Sequence, residues 1–527
     1  MINLLNHCKP YRYQQEIFFF FLIPAAIFLI VTSTSFAQAQ TQTSPNVVLI
    51  IADDLGYSDL SSYGNKDIHT PNIDKLGKEG IRFSQAYSSA PICGPSRAAI
   101  LTGRYQQRYG NEFMGYDRLD PAFLKNLRSH YAAIRTHTPG LKSLKPHFFV
   151  NRTNFNHGVP PSEMTIAQLL KQKGYATGLV GKWNIGIGEG FYPYQRGYDY
   201  SYYFEGALTR YVDDPVDTSR YINQHLPWAF SELPAWMHRY GSTAIREDSN
   251  EIRDTGYLTF SFASKAVDFI DRNKANPFFL TLAFNAPHDP FQVPKEYFNR
   301  IQGVTDTVKR VYYGMIEALD DAVGMVLQKL QTLGLDKNTM VIFLSDNGGA
   351  TYTRATDNAP LRGGKCTHFD GGLLVPFFIK YPGAINANRV YNAPVSLLDI
   401  FTSIAAAVKT TLPSKRVYDG VNLLPYLQGK SDSLPHTIFY WRNGYSKAIR
   451  KGDWKLYVNK KSKKTYLFNI AVDREELHDR SVEQPAIVKE LQDALKQWEQ
   501  TQCIKPQWPS GADVLISIDG ELFYFPA

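Results

Sequence analysis

A cysteine stands at the start of a short apolar segment in this chain of 527 residues. Cys93 opens the sequence CGPSR, and the residues AAILTGR follow it directly. This pattern predicts a helix that begins at Cys93 and carries Arg97 one turn further on. The unpaired N–H groups and the dipole at a helix start favour an anion, and an arginine adds a planar set of donors. We therefore expect anion chemistry at Cys93.

Four apolar runs predict buried strands: Asn46–Ala52, Tyr175–Gly181, Pro277–Phe284 and Met340–Leu344. Helical patterns lie between these runs: Thr165–Lys173, Leu258–Arg272 and Val308–Leu333. The alternation predicts an α/β domain with a large, mostly parallel sheet between helices. Ligands of such sheets bind beyond the carboxyl ends of the strands. We therefore expect the polar side chains that follow the runs to converge there.

Two of the runs end in pairs of side chains that offer oxygen ligands: Asp53, Asp54, Asp346 and Asn347. Their clusters contain no histidine or cysteine, a composition that selects a hard cation such as Ca²⁺ or Mg²⁺ over zinc. One such pair alone is more typical of a strand-end turn. Two pairs, each after a buried strand, favour a metal site.

The segment that begins at Cys93 resembles the C-x-P-S-R signature of type I sulfatases, the formylglycine-dependent family. In that family a maturation enzyme oxidises the cysteine to formylglycine (3-oxoalanine), and the hydrated aldehyde supplies the attacking hydroxyl. The resemblance spans most of residues 45–500 and implies an alkaline-phosphatase-like domain that hydrolyses sulfate esters. It also implies one divalent ion, usually Ca²⁺ with Mg²⁺ possible, at Asp53, Asp54, Cys93, Asp346 and Asn347.

The resemblance extends to catalytic side chains beyond the cysteine. Lys182 in GKWNIG, His288 in NAPH and Lys365 in NAPLRGGK match family motifs. With Arg97, the two lysines would neutralise charge that builds on the sulfate oxygens during displacement at sulfur. The matching histidine protonates the leaving alcohol, and the counterpart of Asp346 takes a proton from the hydrated aldehyde.

Asn184 departs from the family, which usually has a histidine at this position. That histidine hydrogen-bonds formylglycine and assists breakdown of the sulfated intermediate, and an asparagine side chain cannot take up the proton. We expect the Asn184 amide to orient the hydroxyl, with Asp346 as the base. His368 is predicted to contact substrate or to compensate for the missing histidine, and a merely surface histidine is the alternative.

Residues 1–37 resemble a bacterial secretory signal. Lys9 and Arg12 precede the apolar run Ile17–Val31, and Ser35 and Ala37 are small residues suited to cleavage. The run is short for a membrane span and contains a proline, which makes an uncleaved anchor the less favoured alternative. We expect a secreted or periplasmic protein without a membrane span after cleavage.

Cysteine content and net charge further limit the class of protein and the kind of substrate. Four cysteines are too few for a disulfide scaffold. Once Cys8 and Cys93 are set aside, Cys366 and Cys503 remain, and their pairing stays open. One net positive charge leaves with residues 1–37, so the formal charge of +8 becomes about +7. This excess suits a polyanionic substrate, and we expect no nucleic-acid partner.

The pattern changes after about Pro435, which places a catalytic domain at 45–430 and a C-terminal subdomain at 435–527. Four short strands precede a helix near Ala486–Gln500: Ile438–Arg442, Lys447–Arg450, Trp454–Val458 and Thr465–Asn469. This order predicts a smaller antiparallel sheet with a helix, as in the C-terminal subdomain of the sulfatase family.

Two segments outside the motifs bear on the substrate. Residues 116–152 hold seven lysines and arginines against two aspartates, and residues 198–240 are rich in aromatic side chains. The first segment suits an acidic glycan and the second suits stacking on sugar rings, although solvated or packed loops are the alternatives. The favoured substrate is a sulfated polysaccharide or oligosaccharide, with algal ulvan or carrageenan ahead of host glycosaminoglycans.

Rival classes stay open on the sequence alone. A phosphate ester hydrolase with two zinc ions needs several histidine ligands, and the sequence SDNG at 345–348 lacks the expected one. A formylglycine-dependent phosphodiester or phosphonate monoester hydrolase would keep the same motifs. A non-catalytic protein that binds sulfated glycans is suggested by Asn184 alone, and the retained catalytic set opposes it.

Overall fold

The structure is a computed structural model that describes residues 44–115, 141–146, 157–213, 216–224, 239 and 243–527. Ser44–Ala527 form one compact unit. The predicted signal segment 1–37 and most of residues 116–152 lie outside the described residues, as do Trp228, Phe230, Trp236 and Tyr240. Within the described ranges, we find no helix that is long and apolar enough to cross a membrane.

The strands in the described residues are β1 (Asn46–Asp53), β2 (Ile81–Phe83), β3 (Ala86–Tyr87), β4 (Leu141–Pro146), β5 (His157–Gly158), β6 (Ala176–Lys182), β7 (Gly186–Ile187), β8 (Tyr200–Phe204), β9 (Tyr221–Gln224), β10 (Arg246–Glu247), β11 (Asn250–Glu251), β12 (Phe278–Pro287), β13 (Phe291–Pro294), β14 (Thr339–Ser345), β15 (Phe377–Lys380), β16 (Arg389–Tyr391), β17 (Val395–Ser396), β18 (Ile438–Asn443), β19 (Ser446–Lys451), β20 (Trp454–Asn459), β21 (Lys464–Asn469), β22 (Ala512–Ile518) and β23 (Glu521–Pro526). The α-helices there are α1 (Pro71–Lys78), α2 (Cys93–Thr102), α3 (Ile166–Gln172), α4 (Leu258–Arg272), α5 (Lys295–Arg300), α6 (Thr307–Thr332), α7 (Asp370–Leu373), α8 (Asp399–Ala407), α9 (Leu424–Leu427) and α10 (Pro485–Gln502).

A ten-stranded sheet with the order β11-β10-β8-β6-β12-β1-β14-β15-β2-β16 forms the centre of the molecule. Its middle strands β8, β6, β12, β1 and β14 run parallel, and β15 lies antiparallel to β14. The four strands predicted from the sequence are therefore neighbours in the middle of the sheet. Their carboxyl ends lie at one edge, which confirms the predicted α/β class with a mostly parallel sheet.

Helices cover both faces of this sheet because successive residues of a central strand point to opposite sides. Val48 and Ile50 of β1 pack in one core with α4 and α6. Val47 and Leu49 pack in the other core with α2, α3 and α8. Burial on both faces explains why the strand reads as a continuous apolar run.

The C-terminal part contains the predicted antiparallel sheet, β18-β19-β20-β21, and the predicted helix α10. A hairpin of β22 and β23 was not predicted, and it pairs with β4 from the middle of the chain. Its signal is Asp519-Gly520, whose φ values of 50° and 79° fit a two-residue turn of type I′. The domain boundary at 430–435 stays a prediction.

Candidate active site

The carboxyl ends of the parallel strands deliver the predicted side chains to one place. Asp53 ends β1 and Lys182 ends β6, while His288 directly follows β12 and Asp346 directly follows β14. Ala52 lies opposite Ser345, and Asp53 lies opposite Pro287 after a shift of register in the pairing of β1 with β12. Parallel pairing therefore brings together residues that are far apart along the chain.

The helix α2 begins at Cys93, as predicted, and ends at Gly103 in the left-handed conformation with φ of 67°. Two hydroxyls hold its first turn against the end of β14. Ser88 Oγ and Ser96 Oγ donate hydrogen bonds of 2.7 and 2.6 Å to the backbone oxygen of Asp346. The Cys93 sulfur then lies 3.8 Å from Asp54 Oδ1.

Arg97 joins the helix to the carboxylates. Its Nε donates to Asp346 Oδ2 at 2.7 Å, and its Nη2 lies 3.5 Å from Asp53 Oδ1. The guanidinium also donates to the backbone oxygen of Lys182 at 3.4 Å. The arginine side chain is 1% exposed, so water screens these contacts little. The opposite charges of Asp346 and Asp53 hold the guanidinium in place.

Two lysines pair with the two aspartates of β1. Lys182 Nζ lies 2.7 Å from Asp53 Oδ2, and Lys365 Nζ lies 2.7 Å from Asp54 Oδ2. Lys365 Nζ is also 2.9 Å from Nε2 of His288. The structure thus brings together all six residues that the sequence analysis assigned to catalysis.

The donor atoms of Asp53, Asp54, Cys93 and Asp346 lie within 4.8 Å of one another. Asn347 completes the group, since its Nδ2 donates to Asp54 Oδ1 at 2.8 Å. Its Oδ1 is buried and accepts no hydrogen bond from the residues that the structure describes. A buried, unpaired amide oxygen beside three carboxylates fits a hard cation of the calcium or magnesium type.

Charges in this cluster shift the protonation of its members. Burial alone would raise the pKa of Asp53, but Lys182, His288, Arg97 and Lys365 outweigh it and lower that pKa. Burial raises the pKa of Asp346 to about 6 despite the charge of Arg97. Burial, aided by the charge of Asp53, raises the pKa of the Cys93 thiol well above its usual value. The unmodified cysteine therefore stays a neutral thiol here, a poor nucleophile.

His288 is oriented by its neighbour Asp289. Its Nδ1 lies 2.6 Å from the backbone oxygen and 2.9 Å from Oδ1 of Asp289. Nε2 consequently faces Lys365 and Asp54. Burial and Lys365 lower the pKa of His288, but the carboxylates of Asp54, Asp289 and Asp53 raise it more. Sequence analysis missed Asp289, although its position directly after the histidine was a usable signal.

Asn184 lies beside the first turn of α2. A Cβ built on Gly94 would stand 3.5 Å from Asn184 Oδ1, and this oxygen is buried without a hydrogen bond from the described residues. Asn184, Gly94, His157, Glu205 and Trp508 line a small cavity at this point. Asn184 thus lies next to Cys93, and its predicted contact with the reacting groups stays a prediction. The sequence analysis missed the other lining side chains.

The structure contradicts the predicted contact of His368 with substrate. Its ring is fully buried, with Nδ1 at 2.9 Å from Ser446 Oγ and Nε2 at 3.1 Å from Asn443 Oδ1. Burial lowers its pKa to about 3. Both ring nitrogens are thus used by the C-terminal sheet, so the predicted contact with substrate is wrong. The ring joins two parts of the protein instead.

The remaining cysteines do not pair in the described part of the chain, where Cys366 and Cys503 carry free thiols. Cys366 is buried and has a φ of 67°, a conformation that favours glycine.

Comparison with known proteins agrees with this geometry. The sequence model of the sulfatase family matches residues 45–410. N-acetylgalactosamine-6-sulfatase of Rattus norvegicus is 33% identical over 421 residues, which cover 79% of this chain and 71% of that protein. Steryl-sulfatase of Mus musculus is 31% identical over 464 residues, covering 77% of this chain and 69% of that protein.

Comparison with solved structures also shows similarity in sequence and fold. The structure of Ps i-CgsB in complex with k-i-k-neocarrahexaose is 31% identical, with a TM-score of 0.74, and covers 88% of this chain and 94% of that chain. The phosphonate monoester hydrolase of Agrobacterium radiobacter is 18% identical with a TM-score of 0.57, a likeness that shows the fold alone.

The site places carboxylates, buried cations and Cys93 at the carboxyl end of an alkaline-phosphatase-like sheet, and the sulfatase relatives identify the class of protein as a hydrolase of sulfuric esters. The chain belongs to the sulfatase family, formylglycine-dependent type.

Proposed function

We propose that this protein removes sulfate groups from a sulfated polysaccharide or oligosaccharide, with carrageenan as the first substrate class and ulvan as the second. The observation that carries the proposal is the position of Cys93 at a helix start, against Asp54 and among three buried cations. The relation to Ps i-CgsB, solved with k-i-k-neocarrahexaose, supports the choice of carrageenan.

Cys93 would act as formylglycine, made by a formylglycine-generating maturation enzyme. The aldehyde, once hydrated, supplies the attacking hydroxyl, and a Ca²⁺ ion supplies a Lewis acid for the sulfate oxygens. Asp53, Asp54, Asp346 and Asn347 would hold that ion, with the residue at 93 as a further ligand. Mg²⁺ is the alternative, because the donor set is made of oxygen atoms.

Three permanent cations of the chain neutralise the charge of the reacting group. Three buried carboxylates face Arg97, Lys182 and Lys365, so a bound divalent ion would leave the site net positive. A sulfate monoester carries one negative charge, and displacement at sulfur spreads charge over its oxygens. Donors held in a dry site stabilise this charge without reorganising.

His288 holds the proton for the leaving alcohol at Nε2. Asp289 occupies Nδ1, so the second ring nitrogen points at the centre of the site. Burial and Lys365 lower the pKa of His288, but the surrounding carboxylates raise it more, a direction that favours the protonated form that a general acid needs. Transfer of that proton to the sugar oxygen lets the alcohol leave neutral.

Asn184 orients the hydroxyl at position 93 in place of the family histidine. It lies against Gly94 and offers an amide with both a donor and an acceptor. Proton removal then falls to Asp346, whose carboxylate lies in the same cluster as Cys93.

The proposal includes the cellular location of the reaction. Residues 1–37 would direct the chain to the periplasm or out of the cell, where the enzyme would encounter polysaccharide fragments. The partners are then the sulfated carbohydrate and the maturation enzyme.

The first test is the mass of the tryptic peptide Phe83–Arg97 from protein made in its own host. The mass of an aldehyde at position 93 supports the proposed nucleophile, and an intact cysteine in secreted protein contradicts it. The second test measures sulfate release from carrageenan and ulvan oligosaccharides, with phosphodiesters and phosphonate monoesters as controls. Turnover of sulfate esters supports the proposal. Faster turnover of the controls, or tight glycan binding without turnover, assigns the protein to a rival class.

A further inference from the structure

Lys365 lies on a segment that contacts both the active site and the C-terminal sheet. Its backbone N–H donates to Gly349 O at 3.0 Å, and the N–H of Cys366 donates to Pro91 O at 2.9 Å. The rest of the segment, up to α7, turns toward the C-terminal sheet. Contacts between this segment and the C-terminal sheet therefore affect the position of Lys365.

A buried cluster of charged side chains binds this segment to the C-terminal sheet at the start of α7. Lys455 Nζ of β20 lies 2.5 Å from Asp370 Oδ1 and 2.8 Å from Glu476 Oε1. Glu476 Oε2 accepts the backbone N–H of Asp370 at 2.6 Å, and Tyr87 donates to Asp370 Oδ2 at 2.9 Å. Lys455 and Glu476 are 0% exposed and Asp370 is 1% exposed. Buried charges of this kind are strongly coupled, and loss of one partner leaves an uncompensated charge.

Two further contacts connect the segment around Lys365 to the C-terminal part of the chain. His368 hydrogen-bonds Ser446 and Asn443 of the C-terminal sheet. Arg362 donates to the backbone oxygen of Glu476 at 3.0 Å. The segment is thus held on both sides of Lys365 by residues beyond 440.

The segment also touches the end of β14. The N–H of Gly348 donates to Gly372 O at 3.1 Å, and a Cβ on Gly348 would stand 1.8 Å from Gly371 O. Asn347, a proposed ion ligand, immediately precedes Gly348. A shift of α7 would therefore reach the site through two routes, Lys365 and Asn347.

We propose that Lys455 and Glu476 are positioning residues for the reaction: by fixing Asp370, they set the place of Lys365 against Asp54 and His288. The C-terminal sheet is then a working part of the active site. This inference rests on the proposed function, because it assigns Lys365 to the neutralisation of the sulfate group. Misplacement of a reacting group by about 1 Å can lower a rate 100-fold.

The test compares variants at position 476 in the full, matured protein. Glu476→Leu removes both contacts to the cluster, and we expect kcat on a sulfated oligosaccharide to fall about 10- to 100-fold. Glu476→Gln keeps an acceptor for the Asp370 N–H, and we expect kcat within about threefold of the original chain. If Glu476→Leu does not fold, Asp370→Asn takes its place, with an expected loss of about three- to tenfold.

Arg108→Met is the matched control. Arg108 forms a partly buried pair with Asp419, with two contacts of 2.7 Å, beyond the end of α2 that lies away from Cys93. It should lower the thermal midpoint and leave kcat and KM unchanged when both are measured well below that midpoint. If Glu476→Leu behaves in the same way, Glu476 is only a stabilising residue and the proposal is wrong.

A crystal structure of Glu476→Leu separates this proposal from the proposed function. The proposal requires Lys365 Nζ to move from its 2.7 Å contact with Asp54 Oδ2. An unmoved Lys365 overturns it whatever the activity. An original chain that releases no sulfate overturns the proposed function instead, while a displaced Lys365 still supports the positioning role.

Discussion

At the residue scale, the site depends on charges that are buried in opposite pairs. Lys182 and Asp53 are 1% and 0% exposed, and their charged atoms lie 2.7 Å apart. Neither charge would be stable in this place without its partner, since the desolvation cost of a single buried ion is several kcal/mol, roughly. The same residues therefore contribute to stability and, in the proposed reaction, to binding of the sulfate group.

Lys182→Met tests the role of one cation. The substitution leaves Asp53 with Arg97, whose Nη2 is 3.5 Å away. We expect kcat/KM on sulfate esters to fall about 100- to 1,000-fold, the usual loss when one donor to developing charge is removed. Lys171→Met is the control, because Lys171 is half-exposed and pairs with Asp199. An equal loss in both variants would contradict a specific role for Lys182.

Asn184→Gly tests the amide beside Cys93. Asn184 has a φ of 53°, which glycine adopts without strain, so the backbone is expected to keep its place. Loss of the amide should lower kcat about tenfold, the value of one hydrogen bond of about 1.4 kcal/mol. Unchanged kcat, measured with the same formylglycine content at position 93, would show that Asn184 only shapes the turn.

At the element scale, the segment between Lys365 and α7 links the parallel sheet to the C-terminal sheet. Several of its side chains point away from the active site and into the second sheet. His368 is the example with the clearest consequence, because a buried neutral histidine makes stability depend on pH.

We expect His368 to destabilise the protein in acid. Its pKa is lowered from 6.5 to about 3 in the folded protein. Between these values the unfolded chain binds a proton that the folded chain does not, so stability is lost as pH falls below about 6.5. The loss should be about 2 kcal/mol at about pH 5. His368→Gln should remove this part of the pH dependence of the free energy of unfolding, measured in urea at two pH values.

The exposed His478 provides the control, since its side chain is 69% exposed. His478→Gln should leave the pH dependence of unfolding as it is in the original chain. A His368→Gln protein with the same acid sensitivity as the original would show that other groups dominate. Glu476 is not one of them: burial raises its pKa to about 7, so its contribution to stability increases as pH falls.

At the scale of the whole molecule, the bound ion is expected to couple stability to activity. Three carboxylates converge at the carboxyl end of the sheet, and an ion between them would bind only the folded chain. Such binding adds about 2.7 kcal/mol to the free energy of unfolding when free Ca²⁺ is 100-fold above its dissociation constant.

Chelation tests this coupling. EDTA, which chelates both Ca²⁺ and Mg²⁺, should lower the thermal midpoint and abolish sulfate release, and added Ca²⁺ should restore both. Asn347→Leu removes one proposed ligand and should make the midpoint much less sensitive to Ca²⁺. Calorimetry measures the midpoint, and an identical midpoint with and without chelator in the original chain would contradict a resident ion.

Local motifs explain how much of the site was predictable. The helix start at Cys93, the strand ends before Asp53 and Asp346, and the position of Lys182 at the end of its strand all follow from short contiguous patterns. Parallel strands must align their carboxyl ends, so convergence followed from chemistry that is visible along the chain. The fold class needed no long-range information, and the six residues proposed as catalytic were chosen from short motifs that resemble those of the sulfatase family.

The remaining features were decided by tertiary packing. His368 lies three residues beyond Lys365, yet the two side chains face different sheets, and no local pattern reveals which way a turn directs them. The cavity at Asn184 depends on Trp508, more than three hundred residues away along the chain. The sequence by itself therefore determined the parallel α/β fold, because this depends on residue type and short-range periodicity, and its motifs indicated the sulfatase family by resemblance. Only the tertiary structure decided that the C-terminal sheet holds the segment with Lys365, because that depends on contacts between distant parts of the chain.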